Sequence, residues 1–323
     1  MDKKLTPHEA IYDGSYESHV LLYKSPWVYA DPYYSCLVRD KPSQYRWLEA
    51  LMFGLDDEFI KRLLEHEDPP IDPQFIFTAA CKYGNIPLAQ WVINTYMDQN
   101  NPSIREDDVF RLACENGHLH VVMWLIKVFI KNIIQEVINC AFYLTCAKGH
   151  IHVAQYLIKV FPDNNFQDVI NRALCLACMG GHLHVTKWLV KMFSDVISHD
   201  GINDAFHSAC DNGHLRVIKW LYKMFPRILK CSGCTFIPSC AKGHLYMAQW
   251  LIKVFPGAYP QDVIDDVFCS ACIKGHLHII KWLVGVFPRI NPRKHNDYAL
   301  KNACKNNHIH VVKWLIQTFP HMY

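Results

Sequence analysis

Histidine and cysteine are the residue types here whose number and spacing could do chemistry: the 323-residue chain holds 19 His and 14 Cys. Gly-His occurs at His118, His150, His182, His214, His244 and His276, and His308 follows Asn307 at a seventh position. A second histidine stands two residues on at His120, His152, His184, His278 and His310, and a cysteine precedes the turn histidine by four, as Cys114 precedes His118. These are zinc-type donors. A zinc site needs four converging ligands, however, whereas one small group recurs along this chain. Turn histidines mostly satisfy backbone groups. The second histidines read as solvent-facing, a ladder that would make the surface pH-responsive. The marker cysteines Cys81, Cys114, Cys146, Cys178, Cys210, Cys240, Cys272 and Cys304 read as small buried hydrophobes. The Cys-x-x-Cys pairs at 175/178 and 269/272 fall on helices and extend that core pattern. The pair at 231/234 falls in a loop, so zinc held by Cys231, Cys234, Cys240 and His244 is the alternative reading. Cys240 and His244 also occupy ordinary repeat positions, and no cofactor or metal is expected.

No Walker-type glycine loop, G-x-S-x-G elbow or H-E-x-x-H is present, so no enzyme is expected. Acidic residues such as Asp262, Asp265 and Asp266 are expected to cap helix starts. Lysines recur at Lys127, Lys159, Lys187, Lys191, Lys219, Lys223, Lys253, Lys281 and Lys313. Stacked in register they would form a basic stripe, either a polyanion-binding face or a solvated one that keeps the array soluble. With a net charge of only +3, the solvated reading is preferred and nucleic acid is not the expected partner.

The marker cysteines stand 33, 32, 32, 32, 30, 32 and 32 residues apart, so the elements behind them are internal repeats. We number them repeat 1 (Cys81) to repeat 8 (Cys304). Each parses into two helices. The first, as in residues 168–178, leads into the Ala-Cys pair and stops at a glycine such as Gly181. The second starts near the following Leu, with apolar Leu183, Val185, Leu189, Val190 and Phe193 on one side and Lys187 and Lys191 on the other. Pro162, Pro226, Pro256, Pro288 and Pro320 follow a Phe and hold each second helix to roughly ten residues. Trp91, Trp124, Trp188, Trp220, Trp250, Trp282 and Trp314, with Tyr156 in the remaining repeat, fill one position suited to packing on the next repeat. Pairs this short cannot bury an apolar face alone, so a stacked solenoid is expected. A degenerate ninth repeat precedes them over residues 47–64, with Gly54 thirty residues before Gly84 and one extra residue in its alignment.

From residue 47 to 323 the pattern resembles ankyrin repeats: a period near 33, an Ala-x-x-x-Gly-His-Leu-x-Val core, and Gly-His between the helices. The resemblance implies an all-α ankyrin-type solenoid of eight clear repeats plus the degenerate one, with turn histidines tying adjacent turns together. Two features depart from the family. The Thr-Pro-Leu-His box is missing, the nearest approach being Ala205-Phe206-His207-Ser208-Ala209, and Phe-Pro replaces the Gly-Ala-Asp finger. Reduced or irregular fingers are therefore expected. The Cys-x-x-Gly-His and Lys-Trp-Leu style is similar to the divergent ankyrin proteins abundant in giant DNA viruses and some protists.

The resemblance implies a protein-protein interaction scaffold or adaptor, with partner-facing positions at the tips and inner helix ends. These map to Lys82, Tyr83, Glu115, Asn116, Lys148, Met179, Asp211, Asn212, Lys242, Ile273, Lys274, Lys305 and Asn306, which vary between repeats while the core does not. A structural part of a larger assembly, such as a viral particle, is the alternative. Residues 1–45 hold seven tyrosines and Trp27. They are expected to cap the array, with a short helix near residues 8–12, or to dock a partner; residues 46–323 form the solenoid. No uncharged apolar stretch of eighteen residues exists, and no apolar run follows the N-terminal Met1 to Pro7. No membrane span or secretory signal is expected, and the free cysteines fit a reducing cytoplasm.

Overall fold

A computed structural model describes residues 48, 51, 54, 57–65, 72–96, 106–129, 134–162, 164–229 and 233–320. The extension 1–45, with its expected helix and Trp27, lies outside the described residues. Every regular element among the described residues is an α-helix. In chain order they are α1 (Asp57–Glu65), α2 (Pro73–Lys82), α3 (Ile86–Tyr96), α4 (Glu106–Glu115), α5 (Leu119–Phe129) and α6 (Gln135–Lys148). There follow α7 (Ile151–Val160), α8 (Gln167–Met179), α9 (Leu183–Met192), α10 (His199–Asp211), α11 (Leu215–Met224) and α12 (Gly233–Ala241). The last are α13 (Leu245–Val254), α14 (Gln261–Lys274), α15 (Leu277–Val286), α16 (Lys294–Lys305) and α17 (Ile309–Thr318). The fold is an all-α helical-repeat solenoid in which even-numbered helices are the first of each pair and odd-numbered helices the second. The chain divides into two compact units, 1–141 and 142–323, with the division inside α6.

Helices of about ten residues are marginal alone in water, so tertiary burial must hold them. In the first unit α2 packs on α3 and α4, and α1 on α3. In the second unit the first helices stack in series, α8 on α10, α10 on α12, α12 on α14 and α14 on α16, each also packing on its own second helix. The deepest side chain of the first helices stands four residues before the marker cysteine. Phe77 and Phe110 fill that position in the first unit, and Phe142, Leu174, Phe206, Phe236 and Phe268 in the second, all essentially without solvent exposure. This is a core layer the sequence reading did not single out. The Trp positions do pack between repeats, but onto the repeat before rather than the next, a correction of direction: Trp124 meets Phe77 at 6.3 Å between ring centroids, Trp188 meets Phe142 at 6.3 Å, and Trp282 meets Phe236 at 6.5 Å. Tilted and edge-on rings at these distances add to the burial of area itself.

The degenerate repeat has the same local geometry as the others. The Gly54 N–H donates to the Leu51 carbonyl at 3.1 Å, as Gly181 does to Cys178, and Gly54 adopts φ 64°. Leu51 thus takes the cysteine position and is 3% exposed. Helix α1 begins three residues after its glycine rather than two, which is the extra residue of the alignment.

Between repeats the described residues contain no hairpin. The carbonyl of the Phe that ends the second helix instead accepts from the residue three on, in Val196 to Phe193, Ile228 to Phe225, Ala258 to Phe255 and Ile290 to Phe287. The Phe thus opens one tight turn where a finger would project, followed by Pro at 226, 256 and 288 and by Ser at 194. Asp265 and Asp266 correct the capping expectation, because both lie inside α14. Asp265, buried, accepts from the Asn291 N–H of the next repeat at 3.1 Å and from Gln261 Nε2 at 2.9 Å, and Asp266 pairs with Lys294 at 2.7 Å. Asn171, at the equivalent position of α8, accepts from the Ser198 N–H at 3.1 Å. Asp262 does lie in the first turn of α14, where its charge favours the helix N-terminus.

Candidate functional site

The last turn of each first helix leaves backbone carbonyls without intrahelical donors. Here the next repeat supplies them. His214 Nε2 sits 2.8 Å from the Met179 carbonyl and His276 Nε2 2.9 Å from the Ala241 carbonyl; His182 and His244 likewise meet the carbonyls of Ala147 and Asp211. Each accepting residue directly follows a marker cysteine. The turn histidines therefore tie adjacent turns together, as the resemblance implied.

The second histidines are exposed, as expected, and four of them are also bonded. His120 Nε2 lies 2.9 Å from the Gly84 carbonyl, His184 2.8 Å from Gly149, His278 3.0 Å from Gly243 and His310 2.9 Å from Gly275. A carbonyl only accepts, so in each of these bonds Nε2 carries a proton and donates. The two rings of a pair stand about 6 Å apart, 6.1 Å for His182 and His184. Repeats 5 and 6 replace the second histidine by Arg216 and Tyr246, both exposed.

Burial lowers the affinity of His182, His244 and His276 for a proton, and neighbouring cations oppose it further: His184, His150 and His214 around His182, Lys242 and His214 around His244, and His278, His244 and His308 around His276. The carbonyl bonds act in the other direction without overcoming this. With the folded values below the ordinary 6.5, the unfolded chain takes up protons first as pH falls. The stability these groups supply is whole above about pH 6.5 and drains away below it. We expect the urea midpoint of the full chain to drop between about pH 7.5 and 5.5, and replacing His182, His244 and His276 together by Gln to flatten the drop. An equal slope in that variant would show that other groups set it.

Seven marker cysteines are buried, as expected; Cys304 is exposed, a correction. The position is covered by the following repeat, and no helix follows α17 among the described residues. Burial pushes the Cys178 thiol up to about 12, with the neighbouring Cys175 adding to it and the Thr186 hydroxyl opposing. Burial likewise pushes Cys269 up to about 11, with Asp266 adding to it. Such thiols stay protonated at neutral pH, the form least suited to nucleophilic attack or metal binding. Of the zinc alternative, Cys231 and the side chain of Cys234 lie outside the described residues. Cys240 is buried in the core and His244 bonds the Asp211 carbonyl. No cluster of three metal-binding side chains occurs among the described residues.

The thirteen positions expected to face a partner all lie at the ends of the first helices. Lys148, Met179, Lys242, Lys274, Lys305 and Asn306 are exposed; Lys82, Tyr83, Glu115, Asn116, Asp211, Asn212 and Ile273 are half-buried. Some serve the scaffold. Asn116 and Asn212 donate to the carbonyls four residues earlier, Leu112 and Ser208, at 2.8 Å, and Asn306 donates to Ile273 at 3.0 Å. The Lys82 ammonium lies 5.2 Å from the centre of the Tyr83 ring. Sequence reasoning missed the shallow groove of about 570 Å³ between α2 and α4, bordered by Phe75, Thr78, Asp108 and Arg111. Phe75 is 47% exposed there, and Arg111 pairs with Asp108 at 2.9 Å. A large exposed ring on a first helix was the signal that could have found it. All nine stripe lysines are exposed. No helix among the described residues is long and apolar enough to cross a membrane.

Comparison with curated proteins finds no match. The family described as "Ankyrin repeats (3 copies)" matches residues 110–200, 142–228 and 174–263, and "Ankyrin repeats (many copies)" matches residues 268–316. These matches cover more than half of the chain, in the register of the repeats above. Ankyrin repeats are a protein-protein interaction module, and the family is generally non-enzymatic. With the helix pairs, the Gly-His turns and the histidine ties all in place, the chain belongs to the ankyrin-repeat family.

Proposed function

We propose that the chain is a non-enzymatic adaptor that holds a protein partner against the ends of its first helices. The observation that carries this reading is the division of labour within each turn. The main-chain carbonyl after the marker cysteine is occupied by the next repeat's histidine, as at Met179, while the side chains at that position and the next differ from repeat to repeat: Met179, Asp211, Asn212, Lys242, Ile273 and Lys274. A fixed backbone with variable side chains presents specificity without the entropy of ordering a loop. The likeness of the Cys-x-x-Gly-His and Lys-Trp-Leu style to giant-virus ankyrin proteins supports a viral source and a host-protein partner.

The test is affinity purification of the full chain with mass spectrometry, followed by quantitative binding of the captured partner. Replacing Met179, Lys242 and Lys274 together by Glu should weaken that binding about tenfold or more, as hot-spot changes do, with an unchanged far-UV spectrum. Full binding by the triple variant would move the contact surface elsewhere.

A further inference from the structure

On the other helix of each pair, the second helices of repeats 1 to 8 contain no Asp or Glu. Their exposed positions nine and thirteen residues after the marker cysteine carry Lys at both places in repeats 4 and 5 alone: Lys187 with Lys191, and Lys219 with Lys223. Elsewhere one or both are neutral, as in Gln155 with Lys159 or Lys281 with Gly285. None of the four is in an ion pair among the described residues.

Between these two helices lies a groove of about 360 Å³. Val190 of α9, Ile197 of the connecting turn and Ile202 of α10 supply part of its lining; Trp220, Met224 and Phe225 supply the rest, with Lys187 and Lys191 at its rim. Met224 is 50% exposed, and Met192, nearby on α9, 56%. Ser194 borders the groove where five other repeats place Pro after the Phe. The adjacent carboxylate, Asp195, accepts from the Ser194 hydroxyl at 3.2 Å.

We propose that this α9–α11 groove docks an acidic, amphipathic peptide segment of a protein partner, its carboxylates on the four lysines and its apolar side chains in the groove. The proposal rests on the interaction-module reading and adds to it a second surface, on the second helices, and the chemistry of its partner. The charge alone would suit any polyanion. The apolar lining decides between them: the adaptable Met224 and the half-buried Trp220 reward aliphatic and aromatic side chains, as helix-in-groove recognition does, and offer a phosphate backbone nothing. Unpaired lysines around it would speed encounter with an acidic segment and make binding salt-dependent.

The test uses the full chain and fluorescence anisotropy with three probes: a labelled peptide of about 15 residues rich in Glu with Leu and Phe at helical spacing, the same peptide with Ser for Leu and Phe, and single-stranded DNA of similar length. The first peptide should bind, weaken with added salt, and exceed the Ser peptide by about tenfold. It should lose about tenfold in K187E/K191E/K219E/K223E, and again in S194W, which fills the groove, but not in K281E/K313E. All these positions are exposed, and circular dichroism checks folding. The proposal is overturned by no binding of the first peptide, by equal binding of the Ser peptide or of DNA, or by equal losses in K281E/K313E. A chain that fails these assays yet holds its captured partner through Met179, Lys242 and Lys274 loses this groove and keeps the adaptor reading.

Discussion

Phe206→Ala should lower the unfolding free energy by about 3–5 kcal/mol, the largest single loss expected in the molecule. Phe206 has no solvent exposure, and its ring meets that of Phe255, in the next repeat, 6.3 Å away and edge-on. Truncation removes the buried ring and opens a cavity between two repeats, so the loss falls on an interface as well as within a pair. Neighbour coupling is what holds short helix pairs, so loss at one interface should broaden the urea transition as well as shift it. Repeat 4 already carries Leu174 at the same position, fully buried, so Phe206→Leu should cost much less, about 1–1.5 kcal/mol. Urea titrations of both variants by circular dichroism are the check. A loss below about 1 kcal/mol in Phe206→Ala would mean the aromatic layer is dispensable.

The second large effect is at Gly181. Its φ is 75°, a region that costs other residues roughly 1–2 kcal/mol. A Cβ there would also stand 2.5 Å from His214 Nδ1, so His214 must move and release the Met179 carbonyl. Gly257, at φ 78°, has nothing within 4 Å of an added Cβ. Gly257→Ala should therefore cost the backbone amount alone, and Gly181→Ala that amount plus about 1–2 kcal/mol for the displaced bond. The difference between the two, read from thermal or urea unfolding, isolates what one histidine tie contributes. Equal losses would assign the glycine to its backbone angle only.

The period, the helix pairs, the proline-limited second helices and the aromatic inter-repeat position were legible because each depends on residue type at a fixed spacing. The phenylalanine layer was equally visible in principle, four residues ahead of every cysteine from Phe77 to Phe268 except at Leu174. It was passed over because the pattern was read onward from the Ala-Cys pair. Other features depend on partners that carry no sequence signal. His184 looks like a surface residue, and its partner is a main-chain carbonyl 35 positions away. Asp265 looks like a helix cap, and its acceptor role is to a backbone N–H of the following repeat. Cys304 has the residue type of a core position, but burial there comes from a neighbour rather than from cysteine itself. The thirteen positions proposed to face a partner do lie at the ends of first helices, yet spacing did not show that Asn116 and Asn212 are occupied with their own helices. The α9–α11 groove needs two helices and a connecting turn brought together, and no single stretch of sequence announces it.

The histidine ties have a consequence for how such a chain can change length. Excising residues 182–213 would join Gly181 directly to His214, regenerating a Gly-His junction, and His214 would then face the Ala147 carbonyl that His182 now meets. A loss or duplication of one whole period thus leaves each donor with an acceptor, whereas a fractional one strands donors and acceptors alike. The architecture grows and shrinks in quanta, which explains how its bonding can stay constant while the side chains it displays diversify.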